Sequence, residues 1–319
     1  MEINNTYMSI GITIVFSILS TICLVKLCNK YFIKNNRENM GINLAICMIV
    51  TGTVFGRLYY YIFDSTDAGA NFFKPNMQFG SFGVFAGFII AAFIISKLYN
   101  VNFLKIMDVM SVPAVILLIG QRISDYCLGN NFGRTVSEGF FQKFPFSVYM
   151  KVGNGGVYIV AVFTYEFIYL LILLSVLINL LKKNNKKLKE KEGCNGAIIS
   201  FGLVFYCLGR VVFESMRQDS LYVGFVKIAQ VISIITALAI MGIYIVKAYK
   251  YKKINIMKTV GIIFAILIAV AIGFYCEFFM GTEVEKLYTA ILAVCMLILL
   301  FIYIYLYLTV KKINKVVDK

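Results

Sequence analysis

No histidine occurs among the 319 residues, and the eight cysteines are scattered without a CxxC pair. A zinc or haem site therefore has almost nothing to be built from, and a disulfide framework is not expected. Neither a metal nor a cofactor is called for. Acidic residues are few, 16 against 31 lysines and arginines. No polar stretch is long enough to fold alone as a soluble domain. The opening MEINNTYMSIG has no Lys or Arg before the first apolar run. A cleaved signal peptide needs that basic region, so the run is expected to be a retained helix with its N-terminus outside. Neither an internal repeat nor a pair of interrupted apolar segments is visible, so a channel or transporter lacks its usual marks.

What the chain has is apolarity: 60% of it is hydrophobic and the mean hydropathy is +0.82. A transmembrane helix takes about 20 apolar residues. Nine candidate spans lie near 8–28, 41–63, 79–98, 101–120, 157–181, 196–216, 222–246, 256–278 and 286–310. The net charge of +15 is distributed by side: 21 of the 31 basic residues fall in five segments that nine crossings place together. They hold Lys26 to Arg37, Lys97 and Lys105, Lys182 to Lys191, Lys247 to Lys258, and Lys311 to Lys319. This is the positive-inside pattern, and it makes an anionic membrane surface a better partner for the charge than nucleic acid. The opposite connections, Asp64 to Asp67, 121–156, Arg217 to Tyr222 and Glu277 to Lys286, are mixed or acidic. The expected fold is an all-α polytopic membrane protein of about nine transmembrane helices, N-terminus outside and C-terminus cytoplasmic. The fourth span, with Asp108 and Pro113, reads as the weakest helix and the one most ready to tilt toward the interface.

Three polar sets remain once the basic loops are removed. The first is Arg57 with Tyr59, Tyr60 and Tyr61 at the end of the second span. It reads either as a snorkelling arginine with an interfacial aromatic belt or as ligand contacts. The second is Tyr206, Arg210, Glu214 and Arg217, whose offsets put them on one face of the sixth span, within ~80° of one another. Such a stripe faces a bundle interior or a wet cavity, as a packing network or a site, with Glu214 orienting its two arginines. The third is GQRISDYCLGNNFGR, residues 120–134. Arg122 and Arg134 offer planar forks suited to phosphate, Gly129 and Gly133 allow close approach, and Asp125 and Asn130 can hold the arginines or a hydroxyl. Glu166 is a buried acid expected to meet one of the arginines. An anionic lipid phosphate is the simplest ligand for such a set.

These stretches resemble, in order, motifs of the prolipoprotein diacylglyceryl transferase family. Gly56-Arg57-Leu58 with Tyr61 looks like its GxRLxY, and Phe79 to Gly87 (FGSFGVFAG) is similar to its SFHGGLIG. Residues 121–134 look like its signature GRIGNFINGELYGR, and Tyr165-Glu166 resembles its QLYE. Tyr206, Arg210, Glu214 and Arg217 match its YxxxRxxxExxR. The resemblance covers roughly residues 8–250. It implies transfer of the diacylglyceryl group of phosphatidylglycerol to the lipobox cysteine of a preprolipoprotein, at the outer leaflet of a bacterial plasma membrane. On that implication Arg122, Arg210, Asp125, Tyr206 and Glu214 are the catalytic set. Arg57, Tyr61, Gly83, Asn130, Gly133, Arg134, Glu166 and Arg217 bind substrate. The departures are specific: Phe82 and Val84 stand at the family's histidine and second glycine, Asp125 and Leu128 at two asparagines, and Asn130 at a glutamate. Apolar residues 159–163 replace its RHPSQ. Asp125 is then the remaining candidate base near Arg122. The alternatives are a relative that binds anionic lipid or a lipoprotein precursor without catalysis, or a transferase with another acceptor. Residues 1–250 are expected to form a seven-helix transferase-like core. Residues 251–319 would be an added hairpin and basic tail, either docking a membrane partner or packing.

Overall fold

The computed structural model describes residues 6–32, 39–63, 80–137, 139–152, 155–190, 194–223, 226–279 and 285–317. In chain order these form α1 (Thr6–Phe32), α2 (Met40–Phe63), α3 (Ser81–Tyr99), α4 (Phe103–Leu128), β1 (Ser147–Val152), β2 (Gly155–Val160), α5 (Val162–Lys183) and the single turn α6 (Asn185–Lys189). There follow α7 (Ala197–Met216), β3 (Tyr222–Val223), β4 (Val226–Lys227), α8 (Ile228–Lys250), α9 (Ile256–Phe279) and α10 (Glu285–Val317). Among the described residues nine helices are long and apolar enough to cross a membrane, at the nine places expected. The protein is all-α and polytopic. The Asp64 to Asp67 connection and Phe79 lie outside the described residues.

The chain divides into two compact units, residues 1–202 with 218–228, and residues 203–217 with 229–319. In the first, α4 packs against α1, α3 and α5, and α2 packs against α1 and α3. The outward faces of α1 and α2 present Ile18, Leu19, Ile22, Ile46 and Val50, all exposed, as a lipid-facing surface does. The α2–α3 contact is set by glycine. A Cβ at Gly83 would collide with the Phe55 carbonyl and Tyr59, and one at Gly87 with the Thr51 carbonyl. Helices meeting at such small residues approach backbone to backbone. Thr51 Oγ1 donates across the seam to the Gly87 carbonyl at 2.8 Å.

α4 corrects the reading of the fourth span as the weakest. Its stretch is more apolar than those of α2 and α7, and it is the most buried of the nine, with 78% inside. Asp108, which made the span look weak, is fully buried as the N-terminal cap of another helix. Its Oδ2 accepts from the Gly196 amide at 3.0 Å, and its Oδ1 from Ile198 and Ile199 at 2.9 Å each. Three amides at the start of α7 that have no intrahelical acceptor thus share one carboxylate, which the helix dipole also favours. Ser20 Oγ donates to the Pro113 carbonyl at 2.9 Å, tying α1 to the middle of α4.

The helix does not end at Gly120. That glycine is internal, because a Cβ there would strike Phe16 of α1. α4 runs eight residues further, to Leu128, and stops at Gly129, a left-handed cap with φ 72°. Nor is 121–156 a plain loop, or 157–161 helical. β1 and β2 pair antiparallel from Ser147↔Val160 to Val152↔Gly155, and α5 begins only at Val162. A small core of Phe132, Ala161 and Phe163 lies beneath this hairpin. Tyr222–Val223 and Val226–Lys227, expected in a helix, form the short β3–β4 pair.

In the second unit α9 packs on α10. α8 meets α10 through tyrosines: Tyr244 lies 5.3 Å from Tyr303 and 6.1 Å from Tyr307, centroid to centroid. Tyr303 is fully buried. Lys247 and Lys311 stand over the rings of Tyr244 and Tyr307.

Candidate functional site

The last two turns of α4 carry Arg122 and Asp125, one turn apart and so on the same side of the helix. Arg122 Nη1 is 2.9 Å from Asp125 Oδ2 and 2.6 Å from Oε2 of Glu166 on α5. Neither carboxylate lies along an N–H direction of Nη1, so both contacts are charge pairs rather than aligned hydrogen bonds. Arg122 and Glu166 are buried and Asp125 is partly so. The expectation that Glu166 meets an arginine is met by Arg122.

Beyond Gly129 the chain is held by backbone pairing. The Gly133 amide donates to the Val160 carbonyl, and the Val160 amide returns a bond to the Arg134 carbonyl, both at 2.9 Å. Gly133 is buried in this pairing and Arg134 is partly exposed. Asn131, not among the residues singled out from sequence, is fully buried in the cluster. Its Nδ2 donates to Glu166 Oε2 at 3.0 Å and its amide to Asp219 Oδ2 at 2.7 Å. Its carbonyl accepts from the Phe163 amide at 3.1 Å. The available signal was a polar residue at a position where the signature quoted above has leucine.

A cavity of about 540 Å³ opens between α1, α2, α3 and α4. Along α1 its lining runs from Thr6 to Leu24, roughly 27 Å at 1.5 Å per residue. One end is polar, with Ser9, Arg57, Ser81, Gln121, Ser124, Asp125 and Asn130. The remainder is mostly apolar, reaching Leu24, Ala45 and Met48, with the hydroxyl residues Thr13, Ser17, Ser20, Thr21 and Thr53 along it. Arg57 is the one cation and Asp125 the one acid among the lining residues described. Asp125 is thus shared: it faces the cavity and pairs with Arg122, which is not in the lining. Ser9 and Ser124 bond to each other at 2.5 Å and close α1 onto α4 beside it. Tyr61 is half exposed and outside the lining, and Gly83 sits in the α2–α3 seam.

In the second unit, α7 presents Tyr206, Arg210 and Glu214 on one buried face. Glu214 Oε2 is 2.6 Å from Arg210 Nη2 and 3.4 Å from Arg217 Nη1, so it does lie between its two arginines. Gln230 of α8 donates to the Val211 carbonyl at 3.3 Å. Among the described residues no cluster of acids and cysteines could hold a metal ion.

Among the described residues, nine helices long and apolar enough to cross a membrane, one of them carrying a buried arginine–carboxylate group next to a long cavity, define a multi-pass membrane protein. The sequence model described as prolipoprotein diacylglyceryl transferase matches residues 5–246, and the chain belongs to that family. A phosphatidylglycerol–prolipoprotein diacylglyceryl transferase of Clostridium kluyveri (strain ATCC 8527) is 26% identical over 252 residues, spanning 77% of this chain and 94% of that protein. A protein of the same name from Clostridium botulinum (strain Loch Maree / Type A3) is 33% identical over 213 residues, 64% of this chain and 79% of the relative. α9 and α10 lie beyond the residues that the family model matches.

Proposed function

We propose that this protein is a phosphatidylglycerol–prolipoprotein diacylglyceryl transferase that works without histidine, at the outer leaflet of a bacterial plasma membrane. The observation that carries the reading is the double engagement of Asp125, which faces the cavity and pairs with Arg122. Phosphatidylglycerol lies with its acyl chains along the apolar part of the cavity and its phosphate near Arg57. The lipobox cysteine reaches the polar end, and Asp125 takes the thiol proton. The thiolate attacks the glyceryl carbon that bears the phosphate. A C–S bond forms, the C–O bond breaks, and glycerol 1-phosphate leaves with the electron pair. Cations at that phosphate stabilise the charge as it develops. Arg122 meets its two carboxylates through Nη1, and its Nε–Nη2 edge is the part assigned to phosphate. Arg210, oriented by Glu214 and lying beside Tyr206, is assigned a phosphate-binding role on α7.

The test uses purified protein in phosphatidylglycerol liposomes with a lipobox peptide, read by mass spectrometry. A diacylglyceryl adduct on the cysteine that disappears in Asp125→Asn and Arg122→Ala supports the reading. An adduct that persists in both removes these residues from the chemistry. Phe82 at the family's histidine position favours a second reading, a lipid-binding relative without transferase activity. That reading predicts lipid binding and no adduct from the unaltered protein.

A further inference from the structure

Asn131 has features that a residue filling space does not need. It is fully buried, yet its backbone is left-handed at φ 62°, a conformation uncommon outside glycine that asparagine tolerates best. It comes two residues after the left-handed Gly129, so the chain reverses sharply at the end of α4. The reversal is pinned at three points: the Asn131 amide to Asp219, its carbonyl to Phe163, and its side-chain amide to Glu166. Glu166 Oε2 receives both the Asn131 amide and the Arg122 charge, so Asn131 fixes which carboxylate oxygen meets the guanidinium. Asp219 belongs to the connection between α7 and α8, so it is this connection that holds the turn in place.

We infer that Asn131 is a positioning residue: clamped by Asp219, it orients Glu166 on Arg122 and thereby sets the direction in which Arg122 presents the rest of its fork. The inference rests on the proposed transferase reading, in which that fork meets phosphate. Glu166 here acts through Arg122 and does not touch the reacting atoms.

The experiment exchanges the partners. Asn131→Asp removes the donor but keeps a side chain that tolerates the left-handed turn. In Asn131→Asp/Glu166→Gln the amide and the carboxylate change places and the hydrogen bond is restored in reverse. Asn131→Asp is expected to lower kcat about ten- to a hundredfold, the range for a lost hydrogen bond to a charged group. KM for phosphatidylglycerol should stay within about twofold, and the exchanged pair should recover at least part of the loss. Asp219→Asn, which keeps an acceptor for the Asn131 amide, should retain activity that Asp219→Ala loses. An unchanged kcat in Asn131→Asp overturns the inference, as does a loss carried wholly in KM. Should the unaltered protein form no adduct, the transferase reading fails and the positioning claim is read from stability instead. Thermal midpoints of Asn131→Asp, Glu166→Gln and the pair in detergent should then be non-additive, and additive shifts overturn it.

Discussion

Asp125 has two neighbours of different kind, the cavity that it lines and a buried guanidinium 2.9 Å away. On the proposed reading Asp125→Asn keeps the shape and removes the base. Adduct formation should fall at least about a hundredfold, within the range for a lost general base, with phosphatidylglycerol binding retained in a liposome flotation assay. Arg57→Gln should do the reverse, raising KM for the lipid about tenfold, as loss of one charge-assisted contact does, with kcat largely kept. Arg122, Asp125, Glu166, Arg210 and Glu214 were legible in the sequence because charge in an apolar run is conspicuous. Asn131 was not. Reading the signature drew attention to Asn130 at the glutamate position, and nothing local in Asn130-Asn131 says which amide turns inward. That is decided by the left-handed turn and by Asp219, 88 residues away.

At the scale of elements, Asp108 shows how a correct observation led to a wrong expectation. A carboxylate inside an apolar run does weaken it as an isolated membrane helix. The sequence could not show that its partners are the amides at Gly196, Ile198 and Ile199. Asp108→Ala should lower stability by roughly 2–4 kcal/mol, since it strips a charged acceptor from three buried donors. A detergent melt should show the loss, and Asp108→Asn should fall between. The α2–α3 seam is as specific: Gly87→Leu should separate the two helices, because its Cβ would already contact the Thr51 carbonyl at 2.5 Å. The same substitution at exposed Gly11, where nothing lies within 4 Å, should be silent in the same melt. The hairpin before α5 was misread for a different reason. Gly-Gly-Val-Tyr-Ile-Val-Ala-Val-Phe is apolar enough to begin a membrane helix, and apolar runs this short do not separate strand from helix by periodicity. The Gly-Asn dipeptide at 153–154 was the available turn signal in the sequence.

For the molecule as a whole, nine spans emerged because length and apolarity are nearly sufficient to define a crossing. Orientation is a separate claim that rests on the lysines. Reporter fusions after Lys189 and Lys253 should both read as cytoplasmic, and an external signal from either would reverse the assignment. Truncation after Lys250 is expected to leave an inserted core, because the family match ends at residue 246. It should also lower the melting midpoint, because α8 would lose the tyrosine packing that α10 gives Tyr244. Degradation of the truncated chain would make the hairpin part of the core. α4 carries one further consequence. It is anchored at Asp108 and again at Arg122, 14 residues or about 21 Å apart, so it works as a strut whose ends are keyed to different partners. One residue inserted between Ala114 and Gly120 would turn one key by about 100° against the other. Substitutions can drift along this helix, but its length is fixed. Insertions and deletions in the chain's history should therefore fall in the connections, and α4 should hold the same count of residues wherever both keys are kept.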